Sequence, residues 1–254
     1  SDSKEVVNWE EKFAAEAKAV AALERPALGS IGFRGGVMTY AGNEIESGKL
    51  VGVALSYTFE HTYYEGEFDP DNMTGPDCFA QSSPEMAGRD GSAMVPHETS
   101  PNKQHDTCNG CPQLEWGSSP KGRGKACKQV RKVAFIPWSD GMTPEQVASA
   151  EIGIAKLPVT SVKNWKEYIN VVSAKYSRPT WAVVTELSVK NHAKYQFMVN
   201  FKDVGIIDDS ALLAALNDRI PAVQELLLTP YASSDEDSEA DDNTATAKSG
   251  KKKY

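Results

Sequence analysis

Long apolar runs are absent from this 254-residue chain, and so are the short motifs by which most catalytic sites are read. Nothing approaches the ~18 consecutive apolar residues of a membrane helix, and the N-terminus does not read as a secretory leader. The expectation is therefore a protein of the cytoplasm without a membrane anchor. No G-x-x-x-x-G-K-[ST], H-E-x-x-H or G-x-S-x-G occurs, which removes the phosphate loop, the zinc-protease helix and the nucleophile elbow. Gly122-Arg123-Gly124-Lys125 comes nearest to a phosphate loop but lacks its spacing and the following Ser or Thr, so it reads as flexible basic contact. The acids Asp69, Asp71 and Asp77 are close enough in sequence to suggest a metal carboxylate cluster, but Asp-Pro-Asp-Asn is more often turn chemistry. No catalytic residue is expected, and the chain reads as a non-enzyme.

Cysteine is scarce, and its placement is informative. All four lie between positions 78 and 127: Cys78, the C-x-x-C pair Cys108 and Cys111, and Cys127 within a lysine- and arginine-rich stretch. Four thiolates close a tetrahedral zinc shell, and a C-x-x-C turn presents two sulfurs to one metal. Disulfides suit small secreted domains with little core, which a chain 40% hydrophobic does not resemble. A redox C-x-x-C sits at a strand-to-helix junction, whereas Asp106, Asn109, Gly110, Pro112 and Gly117 read as loop. Unrelated free thiols remain an alternative. The expectation is one structural Zn2+ on Cys78, Cys108, Cys111 and Cys127, with His97 or His105 able to replace a sulfur because only one knuckle is present. A closed shell of this kind holds a fold together and does not activate water.

Positive charge is also short overall. The net charge is -8, which taken alone argues against nucleic acid. Its distribution reverses that reading, because residues 103 to 132 hold seven basic side chains (Lys103, Lys121, Arg123, Lys125, Lys128, Arg131, Lys132) against two acids. Candidate nucleic-acid contacts are Arg34, Lys121, Arg123, Lys125, Lys128, Arg131 and Lys132 for phosphates. Tyr63, Tyr64 and Trp116 are the candidate stacking surfaces for bases. Phe33, Tyr40, Tyr57, Phe59 and Phe135 offer rings too, but strand aromatics are commonly core, and about half of all these rings are expected to be buried. Tyr63 and Tyr64 are adjacent, so a regular strand points them to opposite faces.

The pattern along the chain is mainly β with flanking helices, an α+β arrangement. Val6 to Leu23 reads as a helix stopped by Pro26. Strand patterns follow at Ser30 to Tyr40, Leu50 to Tyr64, Val130 to Trp138 and Glu151 to Leu157, with a hairpin of Trp181 to Val189 and Tyr195 to Phe201. Ser161 to Tyr176 is a helix with Trp165, Tyr168, Ile169 and Val172 on one face, and Ser210 to Leu227 is a last helix interrupted near Pro221. The order fits a five-stranded OB-like barrel. The divisions expected are a helix over 1–29, an OB-like core over 30–231 with 69–129 as a zinc-bearing insertion, and a disordered tail over 232–254. Residues 81 to 104 contain no Cys, Phe, Tyr or Trp, so nothing obvious anchors them. In the tail, the acids from Asp235 to Asp242 precede Lys251-Lys252-Lys253, a composition that solubilises, competes with nucleic acid, or recruits partner proteins.

The run Cys108-Asn109-Gly110-Cys111-Pro112 to Glu115-Trp116-Gly117-Ser118, followed by Gly122-Arg123-Gly124-Lys125-Ala126-Cys127-Lys128 and Arg131-Lys132, resembles a pattern of tailed-bacteriophage single-stranded DNA-binding proteins. Pro76-Asp77-Cys78 and Leu157-Pro158-Val159-Thr160-Ser161 with Trp165 and Tyr168 are similar too, so the resemblance covers roughly residues 30 to 202. It implies an OB-like core with a zinc-bearing insertion and a role in phage DNA replication or recombination in the host-cell cytoplasm. The other reading kept open is a protein-interaction module, a phage factor whose basic patch meets a host or phage replication protein.

Overall fold

Fifteen residues from Lys49 to Tyr63 form the strand around which the rest is arranged. The structure, a computed structural model, describes residues 29–66 and 75–231. Among them nine strands form one curled mixed sheet. They are β1 (Gly29–Gly32), β2 (Thr39–Tyr40), β3 (Asn43–Glu44), β4 (Lys49–Tyr63), β5 (Cys78–Ser82), β6 (Lys128–Pro137), β7 (Gly153–Leu157), β8 (Val183–His192) and β9 (Gln196–Ile206). Four helices accompany them: α1 (Pro84–Ala87), α2 (Pro144–Ser149), α3 (Val162–Tyr176) and α4 (Ser210–Leu227). The protein is thus mainly β with a few helices.

The sheet order is β3-β2-β1-β7-β6-β4-β8-β9, with β5 added to β4 off this path. β6 runs along one edge of β4 from Gly52 to Thr62, while β8 pairs with Lys49 to Gly52 and β5 with Phe59 to Tyr63. Leu55 opposes no residue of β6, and this bulge reverses which side chains face which layer. Ala54 and Tyr57 therefore pack on one core, Val53 and Leu55 on the other. Gly52 is required where it stands, because a Cβ there would lie 2.2 Å from both the Ile136 carbonyl and the Phe135 ring.

Both faces of the sheet are covered. Trp165, Tyr168 and Val172 of α3 pack against Val133, Phe135 and Leu187 on one side. Val147 of α2 and Leu216, Val223 and Leu227 of α4 pack against Val53, Leu55 and Ile136 on the other. Burial on both sides explains why β4 and β6 read as near-continuous apolar runs. The helices begin on caps: Thr143 and Gln146 form a capping box for α2, and Asp209 accepts from the Ala211 and Leu212 amides of α4.

Several expectations change here. The described sheet has nine strands, one pair of them (β1 and β7) parallel, where the expected OB-like barrel has five. The run from Ser30 to Tyr40 is two strands broken by a 3-10 turn at Arg34–Gly36. α4 continues through Pro221, giving up one backbone hydrogen bond instead of ending. Residues 81 to 104 are anchored after all: Ala87 and Met94 are buried with Phe59, Ala80 and Cys108, His97 stacks on Phe79, and Ser100 Oγ bonds the Phe79 backbone. The expected helix of Val6 to Leu23, the Asp69 to Asn72 turn and the tail from 232 lie outside the described residues.

Candidate metal centre and nucleic-acid interface

Three separate pieces of backbone bring the cysteines together. Cys78 opens β5 as the cross-strand partner of Tyr63. Cys108 and Cys111 sit on a tight turn in which the Cys111 amide donates to the Cys108 carbonyl at 3.2 Å, and Gly110, at φ +82°, supplies the left-handed residue. Cys127 immediately precedes β6, its amide donating to the Gln113 carbonyl at 2.9 Å. All four are free thiols, Cys78 half-buried and the others buried, and all four line one cavity of about 20 Å3. Burial, and then the neighbouring sulfurs, push the Cys108 and Cys127 thiols up to about 12, so in this state both are protonated.

The thiols share a cavity but are not drawn into a coordination shell. Among the described residues no group of three or more His, Cys, Asp or Glu side chains is arranged to hold a metal ion. Four sulfurs are the donor number and type of a closed tetrahedral shell, and in a buried site they would ionise together only beside a cation. Of the two histidines considered as replacements, His105 borders the cavity and His97 does not, being stacked 4.9 Å from the Phe79 ring.

A third histidine, legible in the sequence only as part of the strand from Leu50 to Tyr64, lies deeper. His61 in β4 is 2% exposed, lines the same cavity, and places Nε2 3.3 Å from Gln129 Nε2. Burial, with Arg131 and Lys125 nearby, lowers its pKa to about 4, so it is neutral near pH 7. The one signal available was its place two residues before Tyr63, on the strand leading to Cys78.

The candidate nucleic-acid contacts divide into three groups. Trp116 is 80% exposed, and the loop that follows it carries exposed Lys121 and Arg123 between Gly117 and Gly124, where the Gly117 amide donates to the Gly124 carbonyl at 2.8 Å. Lys125 is half-buried and donates to Gln129 Oε1, and exposed Lys128 donates to the Lys125 carbonyl. Lys128 and the exposed Tyr64 also line an open groove of about 540 Å3 together with Lys156, Phe33, Val159 and Phe197. Tyr63 is half-buried beside the cysteine cavity, and exposed Arg34 stands apart on the turn after β1. Lys156 was not singled out in the sequence, where it is one lysine in a short apolar strand.

Two expected contacts turn inward. Arg131 is 4% exposed, with its guanidinium over the Phe59 ring and a bond from Nη1 to the Val130 carbonyl. Lys132 pairs with Glu60 at 3.0 Å. Glu60 is fully buried and also meets Lys156 Nζ at 2.6 Å, Gln81 Nε2 at 3.1 Å and the Tyr231 hydroxyl at 2.9 Å. Burial alone would raise its pKa, but Lys156 and Lys132, with hydrogen bonds from Lys156 and Gln81, hold it at about 2. Lys132 is therefore spent on an internal charge. Phe33, Phe59 and Phe135 are core rings.

Fold and site together define a mainly β, α+β protein in which a cysteine-lined cavity underlies a basic loop bearing an exposed tryptophan. No family model, curated protein or solved structure matches the chain. No described helix is long and apolar enough to cross a membrane.

Proposed function

We propose that the protein binds single-stranded DNA without sequence preference, through a basic and aromatic surface on a zinc-held segment, and acts in phage DNA replication or recombination. The observation that carries this reading is Trp116, 80% exposed between the C-x-x-C turn and the Lys121 and Arg123 loop. A large ring left in water near exposed cations suits stacking on unpaired bases, because every base has a π-face. Lys128 and Tyr64 continue the same chemistry into the groove. Zinc on Cys78, Cys108, Cys111 and Cys127 would stiffen the base of the loop, and the curled sheet would serve as an OB-like platform. The acids from Asp235 to Asp242 offer replication or recombination proteins a contact of opposite charge. The resemblance of the cysteine and basic motifs to phage single-strand binders supports the biological role.

Tryptophan fluorescence of the full chain, titrated with oligonucleotide and with duplex across a salt series and alongside zinc quantitation, tests the proposal. Tighter binding to single strands, with log K falling by ~0.7 per log unit of salt for each phosphate neutralised, is expected. Salt-independent binding overturns it. Failure to bind any oligonucleotide at low salt also overturns it and favours the protein-interaction module.

A further inference from the structure

Lys125 Nζ lies 2.8 Å from Gln129 Oε1, and Gln129 Nε2 lies 3.3 Å from His61 Nε2. An ammonium only donates, so the Gln129 carbonyl oxygen is the atom facing Lys125 and its NH2 is the atom facing His61. That NH2 also only donates, which makes His61 Nε2 an acceptor. A neutral imidazole carries one ring proton, and it must then sit on Nδ1. Nδ1 is buried and has no hydrogen-bond partner among the described residues. A buried donor left unmade is costly, and such groups call for an explanation.

The cavity that the ring lines holds the cysteine sulfurs, which become good hydrogen-bond acceptors only once ionised. His61 lines the cavity shared by the four cysteines. Its cross-strand partner is Ala80, and Tyr63 is paired with Cys78, so His61 and Cys78 are diagonal neighbours on one face of β4 and β5. A thiolate accepts hydrogen bonds, and four of them around Zn2+ leave a net negative charge that a neutral N–H donor relieves.

We propose that His61 is a positioning residue of the cysteine centre: its Nδ1–H donates to a thiolate of the metal-bound form, with Cys78 the sulfur its strand position favours. Lys125 and Gln129 fix the tautomer that makes this possible. The basic loop and the metal centre are in this way joined by one chain of hydrogen bonds. The inference rests on the zinc reading above.

Cobalt(II) bound to the full chain is the probe, because thiolate-to-cobalt charge transfer reports electron density on sulfur. Gln129→Glu keeps a partner for Lys125 but faces His61 with an acceptor, which moves the ring proton to Nε2 and strips Nδ1. His61→Phe removes the donor and keeps a ring. Both variants are expected to move the charge-transfer bands to longer wavelength and to weaken zinc in chelator competition by about 10- to 100-fold. Histidine 15N shifts of the wild-type chain are expected to place the His61 proton on Nδ1. Unshifted bands with unchanged chelator competition in Gln129→Glu overturn the inference, as does a wild-type proton on Nε2. Gln129→Glu decides even where His61→Phe does not fold, since it leaves the imidazole in place. A wild-type chain that binds neither zinc nor cobalt refutes the zinc reading itself, whereas bound metal with unshifted variant spectra refutes the role of His61 alone.

Discussion

Arg131 and Phe59 are cross-strand partners in β6 and β4, and the guanidinium carbon stands 3.4 Å from the centre of the ring. A cation stacked in this way and 4% exposed contributes to the fold and is closed to phosphate. Arg131→Ala should lower stability by about 2 kcal/mol in urea unfolding, the scale of a desolvated cation–π contact. Oligonucleotide affinity of the folded variant should stay within about twofold, and a tenfold loss would place Arg131 at the interface instead.

Trp116 is the opposite case. With 80% of the residue in water, Trp116→Ala should leave unfolding within about 0.5 kcal/mol of wild type. Single-strand affinity should fall by about 1–3 kcal/mol, the value of one stacked base. Fluorescence anisotropy with a labelled oligonucleotide reads the second quantity, and unchanged affinity would remove Trp116 from the site.

Lys121 and Arg123 are exposed on the loop between Gly117 and Gly124. Replacing both by alanine should reduce the slope of log K against log salt by about 1.4, since each phosphate contact on a single strand contributes about 0.7. The same pair of changes should not alter bound zinc, measured by elemental analysis. An unchanged slope would show that the phosphates lie elsewhere.

Cys111→Ser should abolish stoichiometric zinc and loosen the segment from 75 to 127, while β6 to β9 keep their hydrogen-exchange protection. The expectation follows from the packing. The segment rests on β5, a small cluster around Phe59, Ala80 and Met94, and the shared cavity, whereas the central strands are held by two separate cores. Uniform loss of protection across the sheet would contradict it.

Glu60 sets an acid limit. Its carboxyl is held at about 2 against an ordinary 4.5, so the fold favours the ionised form. The stabilisation is complete above about pH 4.5 and is lost as the pH falls toward 2. Glu60→Gln should flatten stability across that window. It should also cost about 3 kcal/mol at neutral pH, the low end for a broken buried pair because Lys156 is 44% exposed and can be solvated. Chemical unfolding at pH 3 and pH 7 for both chains measures it.

Local periodicity made α3 legible in the sequence: the spacing of Trp165, Tyr168 and Val172 is the buried face observed. β4 and the β8–β9 hairpin were legible for the same reason, although the hairpin strands extend further, to His192 and from Gln196 to Ile206. α2 was missed although Thr143-Pro144-Glu145-Gln146 is a capping box written in the chain. The parallel pairing of β1 with β7 was not legible, because partners more than a hundred residues apart leave no local signal. At the candidate site, the clustering of the cysteines was readable from their spacing. The inward turn of Arg131 and Lys132 was not, since it depends on Phe59 and Glu60 across the strand. The burial of Glu60 and His61 was not legible either, because adjacent strand residues face opposite sides and both are buried only where both faces of β4 are covered.

Thr62 and Lys128 are partners across β4 and β6, so the chain leaves this pair of strands and returns to it at one place, having added β5 to the other edge of β4. Thr62 and Lys128 are thus two positions that a two-residue hairpin turn could connect, and the chain places a long segment between them instead. A lineage could acquire, exchange or discard that excursion without redrawing the two strands that bear it, much as a tool is changed on a fixed handle. The sheet would then outlast any one function mounted on it.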